Sequence, residues 1–117
     1  MKTLIILNDA PYGSEKPYNA LRLALALQQE GADSNVRIFL LSDAVACALA
    51  GQTPPEGFYN LGQMVGKFLG EGGEIKVCTN CTDARGITKL PLIAGIELST
   101  MGQLARWVAE SDRVLTF

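Results

Sequence analysis

The chain has 117 residues, 48% of them hydrophobic and 19% charged, with a formal net charge of −2, which suits one domain around a single core. Lys and Arg are scattered without a basic run and the aromatics show no stacking pattern, so no nucleic acid is expected as a partner. Histidine is absent, which excludes Ser-His-Asp and Cys-His catalysis and the zinc sites that rely on imidazole.

Residues 3–7 form a continuous apolar run, the pattern of a central strand covered on both faces in a parallel sheet. Met1 to Leu7 is too short for a secretory signal and has no small-residue cleavage site. No apolar run reaches bilayer length, so a cytoplasmic protein with no membrane attachment is expected. Asn8-Asp9-Ala10-Pro11-Tyr12-Gly13 turns the chain, and Ser14 is placed to cap a helix running to about Glu30 and closed by Gly31. On that helix Tyr18, Ala20, Leu21, Leu23, Ala24, Leu25 and Leu27 make an apolar arc wider than one sheet face needs. A partner subunit or a neighbouring helix must supply the second cover.

Residues 36–41 read as a second buried strand. A short helix capped by Ser42 or Asp43 follows as far as Ala50, with Cys47 inside it as core. The prolines and glycines of residues 51–60 make a loop that is long for a compact domain, of the kind that serves as a lid or contact surface. From Asn60 a helix carries Leu61, Met64, Val65, Phe68 and Leu69 at core-facing spacing. Gly70-Glu71-Gly72-Gly73 then precedes a strand instead of opening a helix, the reverse of a phosphate-binding loop.

Ile75 and Val77 alternate as in a strand, and the strand stops at Cys78 because Thr79, Asn80 and Thr82 favour a helix start. Cys78 is therefore expected, exposed, at the carboxyl end of a strand, the edge where open α/β sheets gather ligands. Nearby helix N–H groups and Arg85 would favour its thiolate. The alternative is a small buried hydrophobe, the usual fate of a free cysteine. Three cysteines, an odd number, do not make a disulfide framework, and a reducing compartment would keep them as thiols.

After the Cys78-x-x-Cys81 pair, residues 88–97 read as a loop with a short strand near residues 95–98. Ser99 or Thr100 caps a helix with Met101, Leu104, Ala105, Val108 and Ala109 inward and Trp107 partly so, and residues 113–117 are a last strand. Strands alternating with helices imply right-handed β-α-β units and a parallel sheet with helices on both faces, in one domain over residues 1–117.

Ala10-Pro11-Tyr12-Gly13-Ser14 before an Ala- and Leu-rich helix, Val77-Cys78 with Arg85-Gly86-Ile87 downstream, and the ending Gly95-Ile96-Glu97-Leu98-Ser99 through Leu104-Ala105 to Asp112-Arg113-Val114-Leu115-Thr116-Phe117 together resemble the DsrE/DsrF/TusD family. The resemblance runs end to end. It implies a three-layer α/β/α sandwich with a mainly parallel five-stranded sheet, a homohexamer, and a cysteine, matched by Cys78, that carries sulfur as a persulfide in a relay. Cys81 is a departure, since the relay proteins have a single cysteine in this loop; the small stand-alone members carry both.

A sulfurtransferase of that kind needs a thiolate that attacks a donor persulfide and offers the sulfur to an acceptor thiol. Sulfur-donor and sulfur-acceptor proteins would be its partners, and no metal or organic cofactor is required. The alternative is a Cys78/Cys81 dithiol redox pair. Zinc would need a site shared between subunits or completed by Asp83. The plainest reading is an oligomeric small-molecule-binding protein in which Cys78 is incidental. Asn8, Asp9 and Tyr12, just beyond the first strand, can line the same crevice or be ordinary turn residues. Arg85 can stabilise a thiolate or an incoming anion, or form a salt bridge.

Overall fold

Apolar runs rich in Leu, Ile and Val set the three central strands, β1 (Lys2–Leu7), β2 (Asn35–Leu40) and β3 (Glu74–Cys78). The computed structural model describes residues 1–117. Two shorter strands, β4 (Glu97–Ser99) and β5 (Arg113–Thr116), complete a five-stranded sheet of order β4-β3-β2-β1-β5. All neighbouring pairs are parallel, with Ile5, Ile38 and Ile75 side by side in register. The helices are α1 (Lys16–Gln28), α2 (Leu61–Gly70), α3 (Thr79–Ala84) and α4 (Met101–Glu110), with a 3-10 helix over Ser42–Ala48. No helix is long and apolar enough to cross a membrane.

Connection handedness builds the layers. The steps from β1 to β4 all run the same way along the sheet, so right-handed crossovers put their helices on one face. The return from β4 to β5 must cross back over the other face, and α4 makes it. This is the three-layer α/β/α sandwich with a parallel five-stranded sheet that the sequence implies. Leu4, Ile5, Ile38, Phe39, Phe68 and Val77 are completely buried between the layers, each such side chain contributing about 1.5–3 kcal/mol.

Two helix starts follow their side chains. Asn60 accepts the Gln63 N–H at 3.0 Å to open α2, and Thr100 accepts the Gln103 N–H at 3.2 Å to open α4. The first helix begins at Lys16 with Glu15, not Ser14, at the cap position, and Pro17 fixes its first turn. Ser14 Oγ still accepts the Lys16 N–H at 3.2 Å. The apolar arc of α1 finds its second cover in α2: Leu25 and Leu27 pack on the core, and Gln28 Nε2 donates to the Phe68 carbonyl at 2.9 Å.

Two expectations need correction. The segment after β2 is a 3-10 helix ending at Ala48, with no side-chain cap from Ser42 or Asp43; Ser42 is held at φ 54°, outside helical geometry. On α4 only Leu104 and Trp107 are buried, while Met101, Ala105, Val108 and Ala109 face outward. Trp107 sets that rotation. Its ring meets Phe39 edge-on at 6.1 Å, and Arg37 and Lys76 lie over it at 5.0 and 5.5 Å. The region before β4 is the loop the sequence indicates, tied down where the Ala50 N–H donates to the Pro91 carbonyl and the Ile93 N–H to the Ala48 carbonyl.

Candidate functional site

Cys78 ends β3 and is also the N-cap of α3, its sulfur accepting the Cys81 N–H at 3.3 Å. The Cys81 sulfur in turn accepts the Ser42 N–H, also at 3.3 Å. The left-handed backbone of Ser42 aims that amide, and its hydroxyl reaches Asn8 Oδ1 at 3.5 Å. Each sulfur of the pair therefore has its own backbone donor.

The turn that carries the pair is tied at both ends. Thr79 Oγ1 donates to the Ser99 carbonyl of β4 at 2.9 Å. Thr82, completely buried, places its hydroxyl against the Thr79 carbonyl and 2.7 Å from the Thr88 hydroxyl, which also lies against the Asp83 carboxylate, so two hydroxyl protons serve these three contacts. The helix closes as a Schellman motif: the Ile87 N–H bonds the Thr82 carbonyl, the Gly86 N–H bonds the Asp83 carbonyl, and Gly86 takes φ 67°.

A cleft of about 360 Å³ opens at the carboxyl ends of three adjacent strands, between Leu41 and Ser42 after β2, Cys78 to Cys81 after β3, and Ser99 to Met101 after β4. None of these residues is charged. A smaller hollow of about 70 Å³ lies beside Gly73, Lys76 and Glu97, at the amino-terminal side of β3 and β4; there Lys76 is paired with Glu97 at 2.9 Å.

The structure corrects the expectation of an exposed Cys78 thiolate. Cys78 is only 6% exposed. Burial pushes its thiol above the usual 9.0 and the Cys81 thiol beside it pushes further, and the N–H groups of Cys81 and Asn80 pull down without winning. Cys81 is partly exposed. Cys47 is core, as its helix position implies, and burial pushes its thiol up to about 12.

Of the other candidates, Asn8 approaches the pair by way of Ser42, and Arg85 touches the Cys81 backbone. Asp9 accepts the Ser14 hydroxyl at 2.7 Å. Tyr12 accepts the Leu61 N–H at 3.0 Å and stacks on Tyr59 at 5.5 Å, with Tyr18 on Tyr59 at 4.0 Å. Arg85 turns to Asp43, with contacts of 3.0 and 2.9 Å, and donates to the Cys81 carbonyl at 3.1 Å, clamping α3 to the 3-10 helix. No three Cys, Asp or Glu residues come together as a metal-binding group. Ser42 was absent from the sequence candidates, although its place just past β2, the neighbour of β3, is a topological signal for it.

Comparison with known proteins gives the site its context. The DsrE/DsrF-like family pattern matches residues 1–117. Protein YchN of Escherichia coli K12 is 48% identical over 116 residues, covering 99% of this chain and 98% of that one. An uncharacterized protein of Methanopyrus kandleri is 41% identical over 113 residues, covering 97% and 91%. The crystal structure of E. coli YchN superposes with a TM-score of 0.95 over 100% of this chain and 99% of that one. A protein of unknown function from Methanobacterium thermoautotrophicum, only 14% identical, shares the fold at a TM-score of 0.81 over 99% and 98%.

Proposed function

The chain belongs to the DsrE/DsrF-like family, which is associated with sulfur relay, and from that premise we propose that it carries sulfur as a persulfide on Cys78 and passes it to an acceptor thiol. The observation that carries this reading is the placing of Cys78 Sγ in an uncharged cleft with a backbone N–H 3.3 Å away. A persulfide anion there has a hydrogen-bond donor, and the limited exposure of Cys78 shields the bound sulfur from solvent thiols. The sulfur donor and acceptor are thiol proteins whose reactive cysteines reach the strand ends. The test is intact-protein mass spectrometry after incubation with a persulfide donor, with and without reductant. One added sulfur that reductant removes and that peptide mapping places on Cys78 supports the reading; an unchanged mass contradicts it.

A second reading, dithiol–disulfide exchange, is favoured by one observation: Cys78 caps the helical turn that carries Cys81, with the Cys81 N–H 3.3 Å from the Cys78 sulfur. The assembly we propose is a homohexamer. Phe58, Leu98, Met101, Val108 and Val114 are 65%, 42%, 59%, 42% and 41% exposed, which is apolar area that subunit contacts would cover.

A further inference from the structure

We infer that Cys81 is the port of the carrier: a donor's sulfur goes first to Cys81, and Cys81 hands it inward to Cys78. The inference rests on the persulfide reading and adds a second station to it. The two sulfurs sit on one helical turn, each with its own backbone donor, the Ser42 N–H for Cys81 and the Cys81 N–H for Cys78. They differ in access. Cys78 is buried in the cleft wall, whereas Cys81 is partly exposed. A cysteine on another protein, or any bulky persulfide, meets Cys81 first.

The steps balance without an oxidant or reductant. The Cys81 thiolate attacks the outer sulfur of the donor persulfide, a new S–S bond forms at Cys81, and the donor leaves as its thiolate. Cys78 then attacks that same outer sulfur, the bond to Cys81 breaks, and the proton given up by the Cys78 thiol is taken by the departing Cys81 sulfur. Nothing is oxidised overall, because one sulfur atom moves from thiol to thiol. Leaving-group chemistry holds it at the inner station, since a thiol raised by burial leaves slowly once it carries the outer sulfur. Delivery reverses the two steps when an acceptor thiol draws sulfur from Cys81.

The test follows sulfur on the tryptic peptide between Lys76 and Arg85 by alkylation quench and tandem mass spectrometry, with glutathione persulfide as the bulky donor and inorganic polysulfide as the small one. In the wild type, persulfide should appear on Cys81 before Cys78. Cys81→Ser should slow loading from glutathione persulfide by roughly tenfold or more while polysulfide, small enough to enter the cleft, still loads Cys78. Label on Cys78 first, or wild-type loading of Cys81→Ser by glutathione persulfide, overturns the port and leaves the carrier standing. Failure of Cys81→Ser to load from polysulfide, where the wild type loads, overturns the inward station. Absence of persulfide on both cysteines of the wild type removes the carrier reading itself.

Discussion

The backbone N–H of Cys81 points at the sulfur of Cys78 from 3.3 Å, so the residue that supports the inner thiol is the more exposed of the two. Access and support are divided between neighbours on a single turn. Thiol reactivity should follow the same division: Cys81 first, Cys78 second, Cys47 last. Competitive alkylation with peptide mapping reads the order. Labelling of Cys47 ahead of the pair would contradict its burial on the inner face of the 3-10 helix.

Two glycines near the site should fail for different reasons. A Cβ at Gly73 would collide with the ring of Phe68, which is completely buried, so Gly73→Ala should destabilise by roughly 1–3 kcal/mol through overpacking. Gly86 has open space around it but sits at φ 67°, so Gly86→Ala should cost about 1–2 kcal/mol through backbone conformation alone. Urea unfolding measures both. A neutral Gly86→Ala would contradict the left-handed closure of α3.

Stability should fall at both ends of the pH range, with opposite signs of linkage. Burial raises Cys47 from 9.0 to about 12, so in that window the folded chain holds a proton that the unfolded chain has lost. Its contribution is complete below pH 9.0 and is lost as pH rises through about 12, at a slope on the order of 1.4 kcal/mol per pH unit. Cys78 adds in the same direction. The hydrogen bond from Arg37 lowers the Glu110 carboxyl below its usual 4.5; that contribution is present above 4.5 and disappears as pH falls through the lowered value. Denaturation midpoints against pH should show Cys47→Ala flattening the alkaline limb and Glu110→Gln the acid limb.

Most of the frame was legible because apolar runs and caps are local signals. The three central strands, the start of α2 at Asn60 and the start of α4 at Thr100 follow from side chains within a few residues. The site was half legible. The strand end at Cys78 came from the change between Val77 and Thr79, but the burial of that cysteine depends on β2 and β4 closing over it, which no local pattern encodes. Ser42 takes its positive φ without being a glycine, so its amide could not be assigned to Cys81 beforehand. On α4 the period admits several inward faces, and the choice belongs to Trp107 meeting Phe39 and Arg37 across the sheet. The tyrosines 12, 18 and 59 are separated in sequence and stack only once the loop folds back.

The exposed apolar residues of α4 and β5 should be covered in solution. Gel filtration with light scattering is expected to give a hexamer. A monomer at micromolar concentration would contradict the assembly and require another explanation for the exposure of Met101, Val108 and Val114.

The most direct measurement is the fate of sulfur on the loaded wild-type protein. After loading with a persulfide donor and removal of the excess, sulfide release, thiol content and transfer to an added thiol acceptor are followed together. The predicted result is sulfur that stays bound until the acceptor is added, leaves with it, and returns Cys78 and Cys81 as free thiols. The contradicting result is prompt sulfide release with a Cys78–Cys81 disulfide, the outcome of Cys81 attacking the inner sulfur, which would make the pair a dithiol redox site instead of a carrier.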